Sequence, residues 1–332
     1  MAELSFKDYA TDQEVRWCPG CGDYSILKAV QRALATQGAK PENTVFVSGI
    51  GCSSRLPYHV NTYGFHTIHG RAPAIATGVK LANPELDVWV ITGDGDGLSI
   101  GANHLLHALR RNVNLNILLF NNEIYGLTKG QYSPTSRVGT ASPSSPQGSV
   151  DRPLQPCLFA IGAGATFIAR AVDIDQKGLP PLLTEAKEHQ GTAFVEILQN
   201  CIVYNKDVFD EVVAKKMAAE TQIHLVHGNP LKYGKAEDKG LVLNTKSLSI
   251  ECVQLGENGI NEENLLVHDE TNPILAQILA TMAPPLPVAM GVIFRQEKPT
   301  FESSYWAHKP SQRRAKVKEL LHRGNLLDRR NK

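Results

Sequence analysis

The chain has 332 residues, of which 42% are hydrophobic and 20% are charged, and its formal net charge is +1 at pH 7. A chain of this length buries a full core, and the near-neutral charge argues against nucleic acid or a membrane surface as a partner. No apolar run reaches the length of a membrane span, and residues 1–17 lack the apolar segment of a signal peptide. We therefore expect a cytoplasmic protein, whose six cysteines indicate metal or redox chemistry before disulfides.

The first two thirds of the chain alternate short apolar runs with helical periodicity. Strands are predicted over residues 44–48, 88–92, 115–120, 166–171 and 193–198, and helices over residues 26–34, 72–82, 98–109, 155–164 and 179–189. This alternation predicts an α/β fold with a doubly wound, mostly parallel sheet. Between its elements, residues 132–153 form a long stretch rich in Ser, Thr, Pro and Gly, which is typical of a lid, an interface or a disordered loop.

The pattern changes after Cys201. Residues 208–220 are predicted to be helical, and residues 229–255 resemble polar loop with short antiparallel strands. A helix at 272–282 and a strand at 287–294 follow. We therefore predict two domains, residues 1–227 with the main site and residues 228–332 as a C-terminal α+β appendage. The appendage ends in a basic tail at 309–332, for which a solvated face, a subunit-docking arm and a docking site for an acidic partner protein are the alternatives.

Polar residues interrupt the chain directly after two of the predicted strands. Gly93-Asp94-Gly95 follows the strand at 88–92, and Asn121-Asn122 follows the strand at 115–120. In an open parallel sheet, ligands bind at the edge formed by the carboxyl ends of the strands. The glycines allow close approach of the backbone to a ligand, and a carboxylate with an amide oxygen suits Mg²⁺ that holds a diphosphate. A plain turn between strand and helix is the alternative for Gly-Asp-Gly alone.

Four cysteines are predicted to meet at the same edge. Cys18 and Cys21 form a Cys-x-x-Cys pair without the preceding strand of a thioredoxin-like motif or the second pair of a zinc site. Cys52 follows the strand at 44–48 and Cys201 follows the strand at 193–198. Two thiolates close in sequence and two from strand ends suit a [4Fe-4S] cluster beside the diphosphate site.

Two further cysteines have simpler interpretations. Cys157 competes with Cys201 for the fourth ligand position, but it lies in an apolar helix, where a buried inert thiol is the usual case. Cys252 has the same simple interpretation. The alternative for the whole set is four unrelated structural thiols.

The polar strand ends and the four cysteines together resemble those of one family, the β subunit of the 2-oxoacid:ferredoxin oxidoreductases, which use thiamine diphosphate (ThDP). The resemblance covers about residues 12–205 and rests on Trp17-Cys18-Pro19-Gly20-Cys21-Gly22, Gly51-Cys52-Ser53, His69-Gly70-Arg71, Gly93-Asp94-Gly95 and Asn121-Asn122-Glu123-Ile124-Tyr125-Gly126. It implies Mg²⁺ ligands at Asp94, Asn122 and the carbonyl of Ile124. It implies ThDP contacts from Ile50, Gly51, Cys52, Ser53, His69, Gly93, Gly95, Asp96, Asn121, Gly126 and Leu127. For His69, a hydrogen-bonded structural role is the alternative.

The resemblance also implies a reaction and partners. A 2-oxoacid is decarboxylated on ThDP, the cluster passes single electrons to ferredoxin, and the acyl group goes to coenzyme A. The glutamate that activates the ThDP aminopyrimidine lies on a separate pyrimidine-binding domain, for which this chain is too short. An α subunit must therefore complete the site, and we expect an (αβ)₂ heterotetramer with no nucleic-acid or membrane partner.

Lys129 and Arg55 are the predicted residues for recognition of the 2-oxoacid. Many family members resemble Tyr-Gly-Met-Thr-Gly-Gly-Gln where this chain has Tyr125 to Gln131, with glycine in place of Lys129. A cation there would pair with the distal carboxylate of 2-oxoglutarate, and a solvent-facing lysine is the alternative. Arg55 could face the substrate carboxylate, the cluster or solvent.

Other function classes leave part of the sequence unexplained. A pyruvate or broad-range 2-oxoacid enzyme is the alternative within the family. A non-redox ThDP decarboxylase or synthase would leave the four cysteines without a role. A zinc-stabilised binding protein would leave the Mg²⁺–diphosphate constellation without one.

Overall fold

The structure, a computed structural model, describes residues 4–308, so the basic tail at 309–332 lies outside the described residues. The strands are β1 Thr44–Ser48, β2 Tyr63–His66, β3 Asp87–Gly93, β4 Asn116–Asn121, β5 Ile124–Tyr125, β6 Gln131–Tyr132, β7 Phe167–Val172, β8 Ala193–Leu198, β9 Gln222–His224, β10 Lys232–Tyr233, β11 Lys239–Asn244, β12 Ser249–Gln254 and β13 Val288–Arg295. The α-helices are α1 Asp23–Thr36, α2 Ala72–Ala82, α3 Asp94–Leu98, α4 Ala102–Arg111, α5 Pro156–Gly162, α6 Leu179–Glu188, α7 Asp210–Val213, α8 Ala218–Thr221, α9 Pro273–Thr281 and α10 Phe301–His308.

A central sheet organises the described residues. Its eight strands lie in the order β2-β1-β3-β4-β8-β7-β13-β9. Every pair from β2 to β7 in that order is parallel, whereas β13 pairs antiparallel with β7 and parallel with β9. Five strands of this sheet are buried along all or almost all of their length, namely β1, β3, β4, β7 and β8. Cover on both faces of the sheet explains why these strands are continuous apolar runs in the sequence.

Helices cover both faces of this sheet. On one face, α2, α4, α5 and α9 pack on alternate strand residues such as Val90 and Ile117. On the other face, α1 and α6 pack on the intervening residues such as Ile91 and Leu118. This two-sided cover confirms the predicted doubly wound α/β fold, because a parallel sheet needs a helix layer on each face.

The segment beyond residue 228 differs from the predicted appendage. Strands β10, β11 and β12 do form a small antiparallel sheet, but β13 is a strand of the central sheet, and α9 packs in the same apolar cluster as α5. The predicted boundary after residue 227 therefore does not separate two cores. The strand at 287–294 was predicted in sequence, but only packing could assign it to the main sheet.

Two predicted helices are also shorter than expected. The helix predicted over 98–109 is interrupted at residues 99–101, between α3 and α4, and the one at 208–220 is reduced to the single turns α7 and α8. At the first interruption, a Cβ on Gly101 would lie 2.4 Å from the carbonyl oxygen of Asp96, so this chain reversal requires glycine. Within residues 4–308, no helix has the length and apolar character needed to cross a membrane.

Candidate active site

Four adjacent strands end at the same edge of the sheet. Cys52 lies beyond β1, Asp94 directly follows β3, Asn122 directly follows β4 and Cys201 lies beyond β8. These strands are consecutive neighbours and parallel to one another. Residues that are far apart in sequence therefore meet at one edge, as the strand-end argument predicted.

A cavity of about 430 Å³ opens at this edge. Its lining includes thirteen predicted site residues, namely Ile50, Gly51, Cys52, Ser53, His69, Gly93, Asp94, Gly95, Asp96, Asn122, Ile124, Gly126 and Leu127, together with Asp23, Phe120, Tyr125, Thr128 and Gln131. The volume and the mainly apolar wall with a few convergent polar groups are typical of a small-molecule site. We refer to it as the aspartate cavity.

Asp94 is the buried carboxylate of the aspartate cavity, with a relative exposure of 2%. Its Oδ2 lies 2.7 Å from the hydroxyl of Thr135. Burial raises the pKa of Asp94, and hydrogen bonds from Ser133 and Thr135 oppose that rise. A buried carboxylate of this kind is costly unless a cation balances it, so Asp94 fits a Mg²⁺ ligand.

Asn122 presents its oxygen beside the next strand end. Its Oδ1 accepts a hydrogen bond of 3.2 Å from the backbone N–H of Ile124, and its Nδ2 donates to Gln199. Oδ1 keeps a second lone pair for a metal ion. Across residues 4–308, no three His, Cys, Asp or Glu side chains converge on a single metal ion. Asp94 as the one carboxylate, with amide, carbonyl and diphosphate oxygens, is nevertheless a usual Mg²⁺ environment.

The glycine after Asp94 is required by a close contact. A Cβ on Gly95 would lie 2.2 Å from Cε1 of Tyr125, and the Tyr125 hydroxyl donates a 2.8 Å hydrogen bond to the Gly95 carbonyl. The tyrosine ring therefore packs directly on the backbone of the Gly-Asp-Gly turn. This contact holds the turn against the segment that follows β4.

Asp96 ties the surrounding loops together. Its Oδ1 accepts hydrogen bonds from the backbone N–H groups of Ile50, at 3.0 Å, and Gly70, at 2.7 Å. Its Oδ2 accepts from the Thr92 hydroxyl at 2.6 Å. The Nδ1 atom of His69 lies 2.8 Å from Asp96 Oδ1. Asp96 is thus satisfied by protein donors, which favours a role in shaping the aspartate cavity and orienting His69.

A second cavity, of about 650 Å³, contains the four predicted cluster cysteines. Its lining includes Cys18, Cys21, Cys52 and Cys201. A Cβ on Gly126 would lie 3.5 Å from the sulfur of Cys52 and 3.6 Å from that of Cys201, so these two strand-end thiols flank the same glycine. We refer to this space as the thiol cavity.

The electrostatics of the thiol cavity suit a bound cationic group. Burial, followed by the charge of Asp23, raises the pKa of Cys21 well above its ordinary value and raises the pKa of Cys52 to about 12. Ligating thiols must be deprotonated, so iron would have to balance these thiolates. In a four-iron cluster each thiolate binds a different iron, which explains how four thiols can fit the cluster although no three converge on one ion within residues 4–308.

Cys157 lies outside the thiol cavity. It is fully buried in α5, and its sulfur is 3.1 Å from Oε2 of Glu196, which Arg170 pairs at 2.8 Å. Burial raises the pKa of Cys157 well above its ordinary value. The structure therefore places this cysteine in α5, against the buried Arg170–Glu196 ion pair and outside the lining of the thiol cavity.

Three residues predicted to contact ThDP or the substrate do not line the aspartate cavity. Asn121 lies on the other side of β4, where its Nδ2 donates to Glu196 at 2.8 Å, so it supports the strand end and does not contact the cavity. Arg55 lines the thiol cavity. Lys129 is exposed, in a turn with φ of +76°. Strand alternation places the side chain of Asn121 opposite that of Asn122.

The structure also adds residues that the sequence patterns did not indicate. Asp23, the first residue of α1, is 1% exposed and lines the aspartate cavity, and burial raises its pKa to about 7.

Thr135 supports Asp94 from within residues 132–153, where Ser133 and Ser136 are buried as well. The start of this segment therefore packs behind Asp94 and supports the site from outside the cavity lining. The composition of residues 132–153 gave no indication of this supporting role. The position of Asp23 directly after Cys21-Gly22, by contrast, could have suggested that Asp23 lies at the site.

The aspartate cavity and the thiol cavity share a wall. Cys52, Asn122, Gly126 and Leu127 line both. A diphosphate cofactor in one and a redox cluster in the other would therefore be neighbours. This arrangement is suited to electron transfer from a bound organic cofactor to a cluster.

Comparisons with known proteins agree with this arrangement. Residues 49–197 match the C-terminal TPP-binding domain of thiamine pyrophosphate enzymes. The chain is 54% identical over 263 residues to the 2-oxoglutarate oxidoreductase subunit KorB of Mycobacterium tuberculosis, which covers 79% of this chain and 69% of that protein. It is 47% identical over 205 residues to the β subunit of 2-oxoacid:ferredoxin oxidoreductase 1 of Aeropyrum pernix, which covers 62% and 64%.

A solved structure extends the similarity to the fold. It is a 2-oxoglutarate:ferredoxin oxidoreductase from Magnetococcus marinus with 2-oxoglutarate, coenzyme A and succinyl-CoA bound. The TM-score is 0.75 at 34% identity, and the match covers 97% of this chain and 92% of that one. The chain therefore belongs to the family of 2-oxoacid:ferredoxin oxidoreductase β subunits, which are subunits of an enzyme complex.

Proposed function

We propose that the chain is the ThDP- and [4Fe-4S]-containing β subunit of a CoA-acylating 2-oxoglutarate:ferredoxin oxidoreductase. The observation that carries the proposal is the wall that the two cavities share. Asp94, Asn122 and the Ile124 carbonyl would hold Mg²⁺ and the diphosphate, and the four cavity thiols would hold the cluster. ThDP, when bound, supplies the electron sink for loss of CO₂ from a 2-oxoacid.

The proposed reaction balances with one-electron acceptors. One 2-oxoglutarate and one coenzyme A give succinyl-CoA, CO₂ and a proton, while two electrons leave through the cluster to ferredoxin. The bond to the reacting carboxylate breaks, and a C–S bond to coenzyme A forms. The three compounds named in the Magnetococcus marinus structure are the substrates and product of this reaction.

Two alternatives remain distinct from this proposal. A pyruvate or broad-range 2-oxoacid enzyme would use the same cavities, and the Aeropyrum pernix relative is named for 2-oxoacids in general. A non-redox ThDP decarboxylase would use the aspartate cavity alone. The thiol cavity disfavours the second alternative, because four cysteines from three separate segments would then meet without a function.

The proposal requires other subunits. An α subunit would supply the pyrimidine-binding domain and its glutamate, since residues 4–308 contain one doubly wound sheet. We propose an (αβ)₂ heterotetramer, in which a two-fold axis closes the assembly. Ferredoxin would be the electron acceptor in a cytoplasmic setting, where the free cysteines of the described chain would stay reduced.

The first test is the anaerobically purified complex of this chain with its α subunit. We expect broad brown absorbance, about four iron and four sulfide per β chain, and bound thiamine. We also expect 2-oxoglutarate to reduce ferredoxin only when coenzyme A is present. A colourless protein loaded with zinc would refute the redox proposal, and a coloured one without thiamine would refute the aspartate-cavity assignment.

The backbone at Lys129 supports a role for its side chain. Its φ of +76° lies in the left-handed region, which costs a non-glycine residue about 1–2 kcal/mol. The turn is closed by hydrogen bonds from the N–H of Lys129 to Gly126 and from Gly130 to Tyr125. Lys129 directly follows Thr128, which lines the aspartate cavity. A lysine at a position where glycine would be unstrained indicates that the side chain is used.

Replacing Lys129 by glycine should therefore change substrate preference without lowering stability. A charge-assisted hydrogen bond to the distal carboxylate contributes about 1.5–3 kcal/mol, so the ratio of kcat/KM for 2-oxoglutarate over pyruvate should fall about 10- to 150-fold. Lys129→Met should give a similar fall, because it removes the charge but keeps the length.

The control for this experiment is Lys28→Met, which removes an exposed charge on α1, outside both cavities. Its kcat/KM ratio should equal that of the unmodified complex. An unchanged ratio in both Lys129 variants would mean that this lysine does not select the substrate.

A further inference from the structure

Gln199 lies between the two cavities. It directly follows β8, and its backbone N–H continues the parallel ladder by donating a 2.8 Å hydrogen bond to the carbonyl of Asn121. Its relative exposure is 1%. The backbone of this glutamine is therefore locked next to the strand end that carries Asn122.

The side-chain amide of Gln199 joins the two sites. Its Oε1 accepts a 2.8 Å hydrogen bond from Nδ2 of Asn122. Its Nε2 donates to the sulfur of Cys21 at 3.2 Å and to the carbonyl of Asn200 at 2.8 Å. Asn122 Nδ2 is a donor on one side of this amide, and the Cys21 sulfur and the Asn200 carbonyl are acceptors on the other side. These partners allow only one orientation of the amide.

The first consequence concerns the metal ligand. An asparagine can present either its oxygen or its NH₂ group to a cavity. Because Gln199 Oε1 can only accept, it holds the NH₂ group of Asn122 on its own side. The oxygen of Asn122 is thereby directed toward the N–H of Ile124 and the aspartate cavity. Outer-shell partners of this kind orient metal ligands.

The second consequence concerns the cluster ligand. A hydrogen bond donated to a ligating sulfur stabilises the more negative, reduced state of an iron–sulfur cluster. Gln199 makes that bond to Cys21 from a buried position. The same amide therefore acts on the aspartate cavity, whose cofactor would donate electrons, and on the thiol cavity, whose cluster would accept them.

We propose that Gln199 is a positioning residue that orients Asn122 toward Mg²⁺ and raises the reduction potential of the cluster through Cys21. The proposal deepens the proposed function and rests on it, since it needs a cluster in the thiol cavity. Gln199 contacts neither substrate nor the reacting atoms in this account.

Two substitutions in the αβ complex separate the two roles. Gln199→Leu removes both hydrogen bonds, so the cluster potential should become more negative and the Mg²⁺ concentration for half-maximal thiamine retention should rise about 10- to 100-fold. Gln199→Glu keeps an acceptor for Asn122 but loses the donor to Cys21. Its potential should become more negative while its Mg²⁺ requirement stays close to that of the unmodified complex.

The control is Gln176→Leu, which removes a part-buried amide that bonds Ser25 and lies outside both cavities. It should leave potential and Mg²⁺ requirement unchanged. A cluster potential equal to wild type in both Gln199 variants would overturn the proposal, as would an equal loss of thiamine in Gln199→Glu and Gln199→Leu. An unmodified complex without iron and sulfide would instead refute the proposed function, and this inference with it.

Discussion

Replacing Asp94 by alanine should abolish thiamine retention and leave the iron content unchanged. Asp94 is the one carboxylate proposed to bind Mg²⁺, and it is buried in the wall of the aspartate cavity. The loss of affinity should therefore exceed the roughly 10- to 100-fold that outer-shell changes cost. Thiamine would be measured after desalting in Mg²⁺ buffer, and the cluster by absorbance and iron analysis.

Two further variants make this test specific. Asp94→Asn keeps the shape of the side chain and removes a buried charge, so it should lose thiamine without lowering the melting temperature of the cofactor-free protein. Asp87→Asn alters a half-buried aspartate at the opposite end of the same strand, where it bonds Asn116. It should retain thiamine fully. Normal thiamine content in Asp94→Ala would refute the metal-site assignment.

The second large effect is expected at Cys201. Replacing it by serine should strip most of the iron or change the spectrum of the cluster, because one of the four proposed thiolate ligands in the thiol cavity is lost. Cys157→Ser should keep iron, sulfide and spectrum, since Cys157 lies in α5 against Glu196, outside the thiol cavity. Iron and sulfide would be determined in anaerobically purified complexes of both variants.

A third cysteine serves as the control for the chemistry of substitution. Cys252 is exposed on β12, away from the cavity. Cys252→Ser should match the unmodified complex in iron and in spectrum. If Cys157→Ser loses the cluster and Cys201→Ser keeps it, the choice between the two cysteines is reversed.

The sequence by itself determined the central parallel strands of the sheet and the edge at which the site is proposed. The apolar runs predicted β1 at 44–48 and β8 at 193–198 with the bounds that the structure has. Such runs can be found locally because a strand covered on both faces is apolar throughout. Parallel strands share a carboxyl edge, so Asp94 and Asn122 could be placed together without knowledge of packing.

Only the tertiary structure decided which side chains support that site. Thr135 reaches Asp94, and Gln199 joins Asn122 to Cys21, through contacts across 41, 77 and 178 positions of sequence. The sequence around Thr135 indicated a lid, an interface or a disordered loop, because Ser, Thr, Pro and Gly report local backbone preference and not what the chain packs against. Long-range hydrogen bonds have no period or spacing that a sequence pattern could reveal.

The same distinction explains Lys129 and β13. The sequence identified Lys129 as a departure from glycine, but its left-handed φ follows from the turn between Tyr125 and Gly130 that β5 and β6 close. The apolar run of β13 was visible in the sequence. Its place beside β7 depends on tertiary packing. Local patterns determine which residues form an element, whereas burial against the rest of the chain determines where that element lies.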